Sequence, residues 1–281
     1  MKPCIETIDF HGIEALRLKG PRGATAVISK LGGQVLSWVP PDGKERLFLS
    51  DQAVFDASVP IRGGVPICFP QFSSLGDLPK HGFVRTREWS VGAQRSGDGF
   101  ALVTMELSSD ESTLAIWPHA FHAEMTLMLE EDRIDLEFSV INTGGAPFSF
   151  TGALHSYLRV AQVEEVVMLG LEGAEYRDAL DGNRIARDSR EEFTVDREVD
   201  RTYLNIKAPL MLHSDKQKLV LQNQGFPDVV AWNPFVERCA ELKDMPANGW
   251  RHMLCVEAAA THPITLPAGE EWYGRQTLVV V

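Results

Sequence analysis

Arg62, Lys80, His81 and Arg85 stand in a part of the chain rich in glycine and proline. It reads Ile61-Arg62-Gly63-Gly64-Val65-Pro66-Ile67-Cys68-Phe69-Pro70-Gln71-Phe72, then Pro79-Lys80-His81-Gly82-Phe83-Val84-Arg85. Gly63 and Gly64 permit a turn or a close backbone approach. Pro66, Pro70 and Pro79 stiffen the chain on either side of them. Such a segment is a poor helix or central strand and a good rigid loop that aims cationic side chains at one place. A guanidinium fork donates two parallel charge-assisted hydrogen bonds to a phosphate. The cluster therefore points to a small anionic ligand, although either arginine alone more often marks a salt bridge or a solvated side chain.

Two further positions carry acid–base chemistry. His155 lies in Thr151-Gly152-Ala153-Leu154-His155-Ser156-Tyr157-Leu158. On a strand, Thr151, Ala153, His155 and Tyr157 share one face. An imidazole there serves as a general acid or base near neutrality; the plainer reading is a histidine satisfied by one hydrogen bond. Glu257 lies in the apolar run Met253-Leu254-Cys255-Val256-Glu257-Ala258-Ala259-Ala260. A carboxylate there is costly to bury unless paired or neutralised, and burial raises its basicity. An ion pair with Arg251 or Arg238 is the structural alternative. Asp200, which closes the polar run from Arg177, suits sugar hydroxyls or a loop cap. Trp232-Asn233-Pro234-Phe235 suits an aromatic wall or a packed turn.

The elements that must position these residues are mostly strands. Ile134, Leu136, Phe138 and Val140 alternate with Asp135, Glu137 and Ser139, the period of a half-buried strand. Met125 to Leu129 precedes it across an acidic turn, forming a hairpin. Other predicted strands are 24–28, 34–39, 100–107, 148–160, 218–222, 229–232, 252–258 and 276–281. A turn or so of helix is predicted over Ser112–Trp117 and a short helix over Glu237–Met245, and residues 177–200 read as a long loop. Many short strands with hairpin turns predict an all-β sandwich or barrel, here as one domain over residues 1–281.

The chain has 281 residues, a formal net charge of −12 and 44% hydrophobic residues, enough for a large core. The negative charge disfavours broad nucleic-acid binding. Neither a signal-peptide apolar region nor a membrane-length apolar run is present in the sequence. Cys4, Cys68, Cys239 and Cys255 are scattered without a Cys-x-x-Cys pair, as expected for reduced thiols in the cytoplasm. Cys68 and Cys255 read as packing residues. No recognised metal-ligand spacing, dinucleotide motif or phosphate loop appears, so no metal and no cofactor are expected.

Taken together, Ile61-Arg62-Gly63-Gly64-Val65-Pro66, Phe69-Pro70, His81-Gly82-Phe83-Val84-Arg85, Gly152-Ala153-Leu154-His155, Asp200-Arg201-Thr202-Tyr203, Val230-Ala231-Trp232-Asn233-Pro234 and Cys255-Val256-Glu257 resemble the glucose-6-phosphate 1-epimerases. These belong to the aldose 1-epimerase, galactose mutarotase-like superfamily. The resemblance runs from about Ser37 to the end of the chain. It implies a β-supersandwich of antiparallel strands and cofactor-free exchange of the anomers of a hexose 6-phosphate. By motif position it makes His155 the general acid and Glu257 the general base. It puts Arg62, Arg85 and Asp200 in contact with substrate. Lys80 replaces a glutamine found in some relatives, and His81 matches the motif as a ligand contact or loop support. The resemblance leaves open an epimerase of neutral sugars, and a sugar-phosphate binding module that has lost catalysis.

Overall fold

The computed structural model describes residues 3–215 and 217–281. Three antiparallel sheets organise them. A small sheet orders Cys4–Phe10, Ile13–Lys19, Thr25–Ser29 and Val35–Val39 in sequence. A nine-stranded sheet holds the predicted hairpin Phe121–Leu129 and Arg133–Asn142, joined to Phe100–Ser108 on one side and to Glu271–Val280 on the other. The second large sheet orders Arg184–Arg187, Glu175–Asp178, Val199–Tyr203, Asp228–Asn233, Met253–Leu266, Phe148–Leu154 and Ile67–Cys68, with Tyr157–Arg159 also paired to Met253–Leu266. The all-β sandwich is thus the observed architecture.

The two large sheets share one apolar core. The Phe69 ring meets Phe121 and Phe138 of one sheet and Phe150 of the other edge-on, at 5.3–5.6 Å. Edge-to-face packing is the favoured arrangement for such rings. The alternation of Phe121–Leu129, buried at every second residue, is what lets one face enter this core.

A polar clamp crosses the core beneath the candidate site. Gln276, fully buried, accepts a hydrogen bond from the Ser156 hydroxyl (2.5 Å) and donates one to the Val256 carbonyl (3.1 Å). Ser156 and Val256 directly neighbour His155 and Glu257, so one side chain ties both site strands to the opposite sheet. Gln276→Leu is expected to cost about 1–3 kcal/mol, the penalty for stranding buried polar partners. Denaturant unfolding of parent and variant checks this.

Three sequence expectations are corrected. The single strand predicted over 148–160 is interrupted at His155–Ser156. There His155 N–H leaves the ladder and donates to the Pro66 carbonyl at 3.0 Å. The run 177–200 is not one loop; it contains Arg184–Arg187 and Glu192–Phe193 and borders Glu175–Asp178 and Val199–Tyr203. The helix predicted over Glu237–Met245 lies earlier, at Phe235–Ala240.

Candidate active site

Strand register lays out the floor of the site. Asp200 pairs with Trp232, Trp232 with Cys255, and Cys255 with Tyr157. The next row on the same face runs from Thr202 through Val230 to Glu257. Cross-strand partners project to the same side of a sheet, so these rows form one surface. The break at His155 brings the imidazole beside Glu257, with Nδ1 3.4 Å from Oε1. His155 is 8% exposed and Glu257 1%.

The basic loop forms the neighbouring wall. Backbone bonds stitch it to the floor: Gly64 N–H donates to Phe48 O at 2.7 Å, and Tyr157 N–H to Gly64 O at 2.9 Å. Gly64 has φ +59, and a Cβ there would lie 2.2 Å from Val35 O, so only glycine fits. Gly82, at φ +71, faces Phe69 O in the same way. Together floor and wall enclose a cleft of about 330 Å³ lined by Arg62, Lys80, His81, Arg85, His155, Asp200 and Glu257, among others. All seven residues singled out in the sequence are therefore brought together.

Their electrostatic states differ. Burial pushes the Glu257 carboxyl well above its ordinary range, and the nearby Asp200 charge adds to this; Lys80 and Arg85 pull the other way. Burial also pushes His155 well below the usual imidazole value, assisted by His81, Arg85 and Arg62. His155 Nδ1 and Glu257 Oε2 are buried without a hydrogen-bond partner. Arg251 pairs with Glu164 and Arg238 with Glu241, so neither is the structural ion pair considered for Glu257. Burial likewise raises Asp200.

Four details lay beyond the sequence reading. First, Arg62 is already engaged: Nε and Nη2 grip Asp244 at 3.1–3.2 Å, and Nη1 donates to the Tyr157 hydroxyl at 3.0 Å. Asp244 is remote in sequence and carried no local signal. Second, Arg85 and Lys80 form no ion pair among the described residues; Arg85 Nη2 instead donates to the Lys80 carbonyl at 2.8 Å. Third, His81 is not part of the cationic set. Its pKa is pushed down to about 3 by burial and by Arg85, Lys80 and Arg62. Its Nδ1 accepts from Ser73 N–H at 3.3 Å and lies 3.2 Å from Cys68 Sγ, which places the proton on Nε2. Fourth, Tyr157 stacks on His155 at 4.7 Å and 9°, while Trp232 stands edge-on to the imidazole at 6.0 Å. Trp232 is thus a cleft wall, and Asn233 and Phe235 make the packed turn beside it, Asn233 donating to Trp250 O and Met253 O.

A buried imidazole–carboxylate pair beside a cationic wall has the chemical means to move protons, and it is set in a fold of the galactose mutarotase-like class. A galactose 1-epimerase from Lactobacillus acidophilus shares that fold with a TM-score of 0.78 at 13% identity, covering 100% of this chain and 99% of that one. A Salmonella typhimurium structure described as "a putative mutarotase (YeaD)" aligns with a TM-score of 0.91 and 29% identity, covering 99% of this chain and 93% of that one. The chain belongs to the aldose 1-epimerase family, whose model matches residues 14–278. Its relatives include a protein of Cenchrus ciliaris named "Putative glucose-6-phosphate 1-epimerase", 38% identical over 96% of this chain and 85% of that one. A Salmonella typhimurium protein of the same name is 33% identical over 83% of this chain and 79% of its own length.

Proposed function

We propose that this protein interconverts the α and β anomers of a hexose 6-phosphate, glucose 6-phosphate first among them. The observation that carries the reading is one cleft holding both the His155–Glu257 pair and two cations, Lys80 and Arg85, without a carboxylate partner among the described residues. The relatives' names agree with it.

The chemistry balances within the chain's own groups. Glu257 takes the proton of the C1 hydroxyl as His155 gives one to the ring oxygen. The C1–O5 bond breaks, the aldehyde turns about C1–C2, and reclosure runs the transfers backwards on either face. The pair holds one proton in total before and after opening; only its location changes. Both sugar oxygens sit on one carbon, which suits an acid and a base only 3.4 Å apart. Each positioned group is typically worth about 10²–10⁴-fold. His81 Nε2–H and Asp200 serve the sugar hydroxyls, and the phosphate, remote from C1, orients the ring.

The two arginines take different parts. Asp244 balances the Arg62 charge, so Arg62 chiefly holds Tyr157 and the sugar, while Arg85 and Lys80 supply the uncompensated field for phosphate. Arg85→Ala should slow glucose 6-phosphate exchange by about 10–100-fold, given roughly 1.5–3 kcal/mol per hydrogen bond to a charged group. Neutral glucose should change little. Arg62→Ala and Asp244→Ala should slow both sugars together. Two-dimensional exchange NMR at the anomeric protons of each sugar reads all of this. Equal loss on both sugars in Arg85→Ala would move the phosphate elsewhere. Exchange of glucose as fast as of glucose 6-phosphate in the parent would make the protein an epimerase of neutral sugars. Binding without exchange would make it a binding module.

A further inference from the structure

Beneath the cleft, buried beside the pair, lies a third donor that proton transfer does not use. Cys255 lies two residues before Glu257 on the same face of the strand, between its cross-strand partners Trp232 and Tyr157. Its thiol is free and fully buried. One ligand atom each from His155, Cys255 and Glu257 lies within 4.8 Å of the others. The imidazole and carboxylate atoms are 3.4 Å apart, close to the edge of roughly 3.3 Å expected for N and O ligands around a tetrahedral zinc. His155 Nδ1 and Glu257 Oε2 are both buried without partners, so neither must break a hydrogen bond to take a ligand. The donor set is one imidazole, one thiolate and one carboxylate, which suits a borderline-soft cation and not magnesium or calcium.

We propose that the cleft floor binds a thiophilic divalent cation, of the zinc and cadmium class, through His155, Cys255 and Glu257, and that the bound cation inhibits the enzyme. The cation displaces the thiol proton and the single proton of the His155–Glu257 pair. Two protons leave and two positive charges enter, so the buried site keeps its net charge. Inhibition results because the two groups that move protons are then held by the metal. The inhibitory half rests on the proposed anomer exchange; the binding half does not.

The test uses the full chain with Cys4→Ser, which removes the exposed thiol. Titration with Cd²⁺ is followed by the ultraviolet thiolate-to-metal absorption, and Zn²⁺ is titrated into the exchange assay with neutral glucose and glucose 6-phosphate. One equivalent of Cd²⁺ should develop the band. Cys255→Ser should abolish it and, with inhibition measured against the variant's own metal-free exchange rate, should raise the half-inhibiting Zn²⁺ concentration at least ~10-fold, the scale on which metal affinity responds even to changes in the groups that support the ligands. Cys255→Ala guards against a serine-specific defect. Absence of the band in Cys4→Ser, its survival in both Cys255 variants, or Zn²⁺ inhibition unchanged by them would overturn the proposal. If the protein exchanges no sugar at all, the Cd²⁺ band still decides the binding half by itself.

Discussion

Glu257→Gln should bind hexose 6-phosphate nearly as well as the parent and lose exchange by about 10²–10⁴-fold, the usual worth of a positioned base. The amide matches the carboxyl in size, so it should disturb neither the Ala231–Val256 pairing nor the Gln276 clamp. Only the capacity to take the C1 proton is lost. The effect should be large because burial and the nearby Asp200 charge both raise the basicity of Glu257, and an amide has none to offer. A direct binding titration beside exchange NMR separates the two quantities. A variant that binds and exchanges like the parent would remove Glu257 from the chemistry and leave its burial as a structural puzzle.

The sequence made part of this site legible because burial leaves a pattern. Glu257 is conspicuous as a charge in an apolar strand, and the alternation from Ile134 to Val140 correctly marked Arg133–Asn142. The glycine–proline loop was readable because only a few residue types tolerate its conformation, as Gly64 and Gly82 illustrate. Other features had no local cause. The interruption at His155 depends on the carbonyl of Pro66, which supplies the partner only after the chain has folded back. The hairpin of Glu175–Asp178 and Arg184–Arg187 lies at the sheet edge and is largely exposed or half-buried. Only Tyr176 packs against the core from it, too little to write a period of two there. Asp244 belongs to the site only through Arg62. The neutrality of His81 comes from its burial beside three cationic side chains, a sum that a reading of the single motif does not contain.

His155→Ala should be impaired on the same scale, about 10²–10⁴-fold, and the pH profile of the parent should show why. The active pair carries one proton. At low pH it gains a second and Glu257 can no longer act as base; at high pH it loses its last and nothing remains for the ring oxygen. The profile is therefore a bell, and its limbs belong to the pair, not to either residue. Burial lowers His155 and raises Glu257. Uptake of the second proton then falls below the ordinary imidazole range, and loss of the last falls above the ordinary carboxyl range. Both shifts place the resting proton on Glu257, and it must pass to His155, 3.4 Å away, before Glu257 can take the C1 proton. Neutral glucose is the better probe, because the phosphate group titrates near pH 6 by itself. Asp200 gives the alkaline limb a direction to test. Its negative charge raises the Glu257 pKa, so Asp200→Asn should let the last proton leave more easily and move that limb to lower pH, while reduced sugar binding appears separately in KM. Movement of the limb to higher pH, or a flat profile with chemistry rate-limiting, would show that the pair does not carry the proton. The same coupling gives Lys80 and Arg85 a second effect. They lower Glu257, so a phosphate that neutralises them should return basicity to the carboxylate at the moment the sugar is seated.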